Sequence, residues 1–316
     1  MKSDEDFRVK QIRIGSRGSQ LALWQARHVQ SELEKRHPGL SVTITKIKTT
    51  GDNILDVPLA QVGGKGLFVK EIEEALLENE VDIAVHSMKD MPADLPVGLC
   101  IAAVPKREDP RDVLISRDGS GFSHLPHGAH IGTSSLRRIS QLLNQRPDLR
   151  ISPLRGNLDT RLKKLDSGAF DAIVLAAAGI RRLGWEERIT EYLPITISLP
   201  AIGQGALCIE CRKGDTAVLE RINGMDHPET RLCVRAERAF LKRLEGGCQV
   251  PIGAYAAIVQ GVLEIEGLVA SVDGGRMVRE KRAAGVDNPE ELGVSLAESL
   301  LAHGGEEILR EVYEAR

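Results

Sequence analysis

Residues 12–20, Ile12-Arg13-Ile14-Gly15-Ser16-Arg17-Gly18-Ser19-Gln20, lead directly into Leu21-Ala22-Leu23-Trp24-Gln25-Ala26-Arg27-His28-Val29-Gln30. An alternating apolar stretch, a small polar loop and a helix-spaced apolar run follow one another. The same plan returns at 131–145, where Ile131-Gly132-Thr133-Ser134-Ser135-Leu136-Arg137-Arg138 precedes Ile139-Ser140-Gln141-Leu142-Leu143. Each half then carries a second echo. Glu71–Glu78 is expected as an amphipathic helix, Val81–Val85 as a strand and His86–Asp90 as a loop. In the other half, Thr160–Leu165 reads as helix, Phe170–Leu175 as strand and Ala176–Arg182 as loop. Two α/β lobes of similar construction are the natural reading, with doubly wound, largely parallel sheets that bind ligands beyond the carboxyl ends of their strands.

The run Pro105–Asp112 is expected as the first crossing between lobes, and Ser198–Gly205 as the return. Residues 206–211 would then complete the first sheet. Lobe 1 therefore takes residues 10–105 and 206–223, and lobe 2 takes residues 111–199. From His227-Pro228 the pattern changes. A helix over Glu229–Leu244 leads to a loop, then to strands Ala254–Val259, Val262–Ala270 and Arg276–Ala284 and a helical end over Pro289–Glu314. This predicts an α+β C-terminal domain, residues 228–316, with a small antiparallel sheet.

At 316 residues the chain can hold two or three domains, and its 42% hydrophobic content is ordinary. A net charge of −3 excludes a general affinity for nucleic acid or anionic membranes. No apolar run approaches the ~18 residues of a membrane span. The charged start Met1–Asp6 lacks the apolar centre of a signal peptide, and five scattered cysteines suit a reducing compartment. A cytoplasmic location and a monomer are the expectations. Cys208 and Cys211 spell Cys-x-x-Cys, but in a strand such residues point to opposite faces and cannot share a metal, and no metal is expected.

Chemistry concentrates in the loops. Leu244-Glu245-Gly246-Gly247-Cys248-Gln249-Val250-Pro251 ends a helix with two glycines, presents a thiol on irregular backbone and blocks resumption of the helix with proline. A small buried hydrophobe is the ordinary reading of a lone cysteine. Here cationic loops accompany it, which suggests an attached polyanionic organic group. Arg17 and Ser19, and likewise Thr133, Ser134, Ser135, Arg137 and Arg138, sit at helix starts, where backbone N–H groups favour an anion. Arginine opposes the dipole there, and a bound carboxylate would resolve that conflict. Solvated surface arginines remain the alternative. Arg155, Arg161 and Arg182 extend the cationic set, suited to bidentate grip on several carboxylates. Asp90 is the sole acid in its loop and beside Lys89 should be ionised, free to stabilise a cation, although it could equally be an N-cap. Gly63-Gly64-Lys65-Gly66-Leu67-Phe68 lacks the spacing of a phosphate loop and reads as a cationic flap.

The chain resembles the porphobilinogen deaminase family through Ser16–Gln25, Val62–Phe68, Ala84–Asp90, Gly132–Arg138, Leu154–Asn157, Gly203–Gly205 and Glu245–Gly253, in order along residues 12 to 253. Gly18 departs from a glutamine frequent in the family. The resemblance implies three domains, the first two like type II periplasmic binding proteins, and a dipyrromethane cofactor joined to Cys248 by a thioether. It implies head-to-tail addition of four porphobilinogens with loss of ammonia, followed by hydrolytic release of hydroxymethylbilane. Asp90 would be catalytic. Lys89, Asp90, Thr133, Ser135, Arg137, Arg138 and Arg161 would hold the cofactor. Arg17, Ser19, Arg155, Arg182 and Gln204 would hold substrate and the growing chain, and Lys65 and Phe68 would belong to a mobile flap. A non-catalytic anion-binding protein is the rival, and it leaves Cys248 and the third domain without a task. A pyridoxal enzyme using Lys65 or Lys89 is weaker still, for want of a phosphate cup.

Overall fold

The computed structural model describes residues 10–53, 69–244 and 250–314. The chain divides into two compact units, one of residues 1–54, 64–107 and 206–231, the other of residues 55–63, 108–205 and 232–316.

The first unit is built on strands β1 (Gln11–Ser16), β2 (Ser41–Lys46), β3 (Ile83–Ser87), β4 (Leu99–Ala103) and β10 (Leu207–Arg212), in the order β2-β1-β3-β10-β4. β1 runs parallel to both β2 and β3, while β10 is antiparallel to β3 and β4. Ile12, Ile14, Ile83 and Ile209 are fully buried on these strands, beneath Ala26, Val29 and Leu33 of helix Gln20–Arg36. Helix Lys70–Leu77 covers another face through Ile72, Ala75 and Leu76. That face also buries charge. His86 Nε2 donates to Glu210 Oε2 at 3.1 Å, with both side chains inaccessible. Glu73 is 6% exposed, and among the described residues neither its Oε1 nor the Oε1 of Glu210 has a hydrogen-bond partner. Burial, then repulsion from Glu210 and Glu74, raises the Glu73 carboxyl to about 7.

The second unit repeats the order with β5 (Asp112–Ser116), β6 (His130–Gly132), β7 (Arg150–Ser152), β8 (Ala172–Ala176) and β9 (Glu191–Tyr192), arranged β7-β6-β8-β5-β9. β6 is parallel to β7 and β8, and β5 is antiparallel to β8 and β9. In each sheet four strands share one direction, and the fifth, which enters from a crossing segment, runs against them. The sheets are thus mixed, where a largely parallel arrangement was expected. Ala176–Arg182, expected as loop, contains helix Ala177–Arg182, which begins as soon as β8 ends.

The C-terminal residues form the antiparallel sheet β11 (Ile252–Val259), β12 (Val262–Ala270) and β13 (Met277–Ala284), with helices Pro228–Arg243, Pro289–Leu300 and Glu306–Glu314. Phe240, Ile265, Leu296 and Leu300 are fully buried at its centre. Gly293 permits the two long helices to meet, since a Cβ there would lie 2.1 Å from the carbonyl oxygen of Ala236. This sheet packs with residues 108–205 in one unit. Arg279 donates to the carbonyls of Ile195 and Thr196, Asn144 donates to Gly274, and Leu199 is buried beside Leu268 and Ala270.

One carboxylate ties the second unit together. Asp112, the first residue of β5, is fully buried. Its Oδ2 accepts from Arg137 NH1 at 2.8 Å and Ser198 Oγ at 2.7 Å. Its Oδ1 accepts from Arg138 Nε at 3.0 Å, Arg138 NH2 at 2.6 Å and Gln204 Nε2 at 2.9 Å. Burial alone would raise this carboxyl, but Arg137 and Arg138 override it and hold Asp112 far below the usual carboxylate range. Strand β5, helix Leu136–Gln145 and the return segment thereby share one junction.

Two measurements follow from these buried charges. A carboxyl whose folded pKa is raised contributes stability below its unfolded value near 4.5, and loses it as pH climbs through about 7. Glu73→Gln should therefore raise the melting temperature by a few degrees at pH 8 and leave it nearly unchanged at pH 5; a pH-independent difference would refute the repulsion. Asp112→Ala strands two buried guanidinium groups and should cost about 3–5 kcal/mol in denaturant unfolding. The exposed pair Arg188–Asp166 supplies the control, since Asp166→Ala should stay within about 1 kcal/mol. Equal losses at the two positions would deny Asp112 its junction role.

Candidate functional site

In the first unit the expected residues gather at the carboxyl ends of β1 and β3, which are neighbours in the sheet. β1 ends at Ser16, and Ser19 caps helix Gln20–Arg36 by accepting from the N–H of Ala22 at 3.3 Å. That helix has no acid in its first turn, so nothing on its own surface offsets the dipole beside the half-buried Arg17. Gln25 Nε2 donates to Ser87 Oγ at 2.8 Å and fastens this helix to the end of β3. Immediately after Ser87 the chain tightens into a 3₁₀ turn, Met88–Asp90. Met88 is 1% exposed and its N–H donates to Ala206 O, which anchors the turn. Lys89 and Asp90 are half-buried on it. The Asp90 carboxylate has no hydrogen-bond or ion-pair partner among the described residues, so it is not the N-cap that its position allowed.

In the second unit, β6 lies between β7 and β8, so three more carboxyl ends adjoin. Thr133 follows β6 and is 2% exposed; its Oγ1 accepts from the N–H of Ser135 at 3.3 Å. Ser135 is the N-cap residue of helix Leu136–Gln145, without a side-chain cap bond of its own. Arg155 and Arg161 flank the turn after β7, where Arg161 Nε donates to Gly156 O at 2.8 Å. Gly156 has φ +103, a left-handed conformation that favours glycine. Arg182 closes the short helix after β8 and donates from NH2 to Gly205 O at 2.7 Å. Burial lowers its pKa to about 10, against the opposing pull of Glu108. Gly205 has φ +88, and a Cβ there would sit 2.4 Å from the carbonyl oxygen of Glu108, so this contact needs glycine.

Two readings change. Arg137 and Arg138 were expected to meet a ligand's carboxylate at the helix start, but they are only 4% and 6% exposed, and the carboxylate they hold is the chain's own Asp112. Gln204, expected as a substrate contact, is 1% exposed and donates to Pro110 O and Asp112 Oδ1. One buried donor at this junction is unspent: Arg137 Nε has no hydrogen-bond partner among the described residues. Cys248, Lys65 and Phe68 lie outside the described residues. Their flanks are informative only for Cys248. Leu244 and Val250, on either side of residues 245–249, are each 3% exposed and belong to the C-terminal core. Asp112, Ser198 and Gln25 escaped sequence reading, although an aspartate heading the apolar run Val113-Leu114-Ile115 was a usable signal.

Among the described residues no three or more His, Cys, Asp or Glu side chains are placed to hold a metal, and no helix is long and apolar enough to cross a membrane. The family model described as "Porphobilinogen deaminase, dipyromethane cofactor binding domain" matches residues 12–220, and "Porphobilinogen deaminase, C-terminal domain" matches residues 231–302. A curated relative called porphobilinogen deaminase, from Pelobacter propionicus, is 59% identical over 96% of this chain and 98% of its own length. Another of that name, from Geobacter sulfurreducens, is 59% identical over 97% of this chain and 96% of its own. Among solved structures, the periplasmic VFT2 domain of Bordetella pertussis BvgS covers 68% of this chain and 86% of its own at 15% identity, with a TM-score of 0.40. With two matched domains covering the cofactor-binding and C-terminal portions and close relatives along almost the whole length, the chain belongs to the porphobilinogen deaminase family.

Proposed function

We propose that the chain carries its dipyrromethane on Cys248, uses Asp90 as the catalytic carboxylate, and grips pyrrole carboxylates with arginines at the strand ends. The activity is polymerisation of porphobilinogen in tetrapyrrole biosynthesis, by a transferase with a dipyrromethane cofactor-binding domain. The observation that carries the residue-level reading is the half-buried carboxylate of Asp90, without a partner among the described residues, on a turn anchored by Met88. The donor set fits a dipyrromethane, whose acetates and propionates call for several cationic groups. Half-buried Arg17, Arg155, Arg161 and Arg182 supply them, and Arg137 retains an unspent N–H. When bound, the dipyrromethane supplies the pyrrole carbon to which the first substrate is joined.

Loss of ammonia from porphobilinogen leaves a delocalised azafulvenium cation. Asp90 stabilises that cation and accepts pyrrole N–H bonds, in a partly water-excluded setting where a fixed charge counts for more than in water. Lys89, beside it, with Thr133, Ser135 and Arg161, orients cofactor carboxylates. Arg17, Ser19, Arg155 and Arg182 hold those of substrate and growing chain. Arg137 and Arg138 act chiefly through Asp112, which keeps the helix start in place, and Arg137 adds its remaining donor toward the cofactor. Gln204 serves the same junction. After four additions, hydrolysis releases hydroxymethylbilane. We infer further that the chain works as a monomer in the cytoplasm, without nucleic-acid or membrane partners; a stable dimer in sedimentation would overturn the first point.

The intact mass of native protein tests the anchor. It should exceed the sequence mass by two linked pyrroles, survive reductant and denaturant, and map to Cys248; unmodified Cys248 in active enzyme ends the proposal. The same spectra sort the arginines. Arg137→Ala and Arg138→Ala should give unstable protein lacking the excess mass, because each leaves Asp112 short of charge. Arg17→Ala and Arg182→Ala should give fully loaded protein that stalls at discrete enzyme-bound masses, each one pyrrole heavier. Uniform loading with only a raised KM in all four variants would remove that division.

Asp90→Ala should retain the cofactor yet lose turnover through kcat. A single oriented charge of this type contributes roughly 3–4 kcal/mol, or about 10²–10³ in rate. Retention of more than about a tenth of the rate, far above that range, would displace Asp90 from the centre of the reaction.

A further inference from the structure

Cys211 finds its neighbour across the sheet, not along the chain. In the antiparallel pairing of β10 with β4 it lies opposite Cys100, 111 positions away in sequence. The two sulfurs are 3.9 Å apart. Directly opposed residues in an antiparallel pair have Cα atoms about 4.5–5.5 Å apart, inside the range that a disulfide requires. Closing the contact to a bond of about 2.05 Å needs only small side-chain rotations. The two thiols also differ in access. Cys211 is fully buried, and its Sγ donates to Arg212 O at 3.3 Å. Cys100 is half-exposed on β4, the edge strand of the sheet. Cys208, three residues before Cys211, is opposite His86 on β3 and takes no part in the pair.

We propose that Cys100 and Cys211 are a peroxide-responsive dithiol site that closes into a reversible cross-strand disulfide. The Cys100 sulfur attacks one oxygen of a hydroperoxide such as hydrogen peroxide; the O–O bond breaks, one water leaves and Cys100 becomes a sulfenic acid. The Cys211 sulfur then displaces the sulfenic hydroxyl, which takes the Cys211 proton and departs as a second water. Two thiols and one peroxide give one disulfide and two waters. The order is set by the environment. Burial first, then Cys100 and Asp215, push the Cys211 thiol up to about 12 against the pull of Arg212, so Cys211 is protonated and acts only as the resolving partner. A bond between strands so far apart in sequence closes a loop of more than 100 residues and constrains the unfolded chain strongly. It also fastens the edge strand β4 to β10, its one neighbour among the described strands.

The test treats the cofactor-loaded protein with an equivalent of hydrogen peroxide, caps remaining thiols with an alkylating reagent and maps the peptides. A linked peptide containing Cys100 and Cys211, lighter by two hydrogens and restored by a dithiol reductant, is the expected product. Oxidised protein should melt roughly 5–10 °C higher than reduced. Cys100→Ser should abolish both the linked peptide and the shift, whereas Cys208→Ala should keep both. Full alkylation of Cys100 and Cys211 after peroxide would overturn the proposal. So would a sulfinic acid at Cys100 with Cys211 still a thiol, or a linkage from Cys100 to any other cysteine.

Discussion

A single buried carboxylate organises the unit that supplies most of the cationic residues. An aspartate removed from water is tolerable only when opposite charge and hydrogen bonds surround it, and Asp112 meets that demand with two arginines, a serine and a glutamine. Satisfying it fixes three elements that are remote in sequence: the strand entering from the first crossing, the helix after β6 and the segment leading out again. The constraint is reciprocal. Arg137 and Arg138 at a helix start, where the dipole opposes cations, are acceptable because a carboxylate is already there. A helix terminus that could have been a ligand pocket is thus partly spent on architecture, and the neighbouring half-buried arginines are better placed to exchange ligands.

The first unit handles buried charge differently. His86 bonds one oxygen of Glu210, whereas among the described residues Glu73 has no such bond, and its pKa is raised close to neutrality. This strain lies on the face of the sheet covered by helix Lys70–Leu77, while the turn that carries Asp90 begins two residues after His86. The turn itself is anchored by Met88 and by the bond from Gln25 to Ser87, interactions independent of that ionisation. Asp90 therefore stands on a turn held by contacts other than those of the Glu73 carboxyl.

What was legible in the sequence was local. The strand–loop–helix echoes at 12–30 and 131–145 appear as read, because hydrophobic period and loop chemistry are expressed within twenty residues. The return of residues 206–211 into the first sheet also holds, as β10. Strand direction was not legible: whether β5 and β10 run with or against their neighbours depends on where the crossing chain re-enters. Ala176–Arg182, read as loop, contains a helix that begins at Ala177 as soon as β8 ends. Nor could spacing reveal that Arg137 and Arg138 face Asp112, or that Cys211 faces Cys100 and not Cys208. These pairings are set by register between segments far apart in the chain. Cys208 lies opposite His86, and the sulfur in contact with Cys211 is that of Cys100 on another strand.

Cys248 lies within residues 245–249, and the described residues on either side, Leu244 and Val250, are seated in the C-terminal core. That core belongs to the same compact unit as Arg137, Arg155, Arg161 and Arg182. Five residues between fixed points give a limited reach, at most about 3.3–3.6 Å per residue. Under the proposed attachment, a group carried there would meet those arginines not as a solute but at the millimolar effective concentration of a short tether. Each carboxylate grip then needs only modest intrinsic strength to be occupied nearly all the time, and a weak grip is one that a lengthening chain can release and retake.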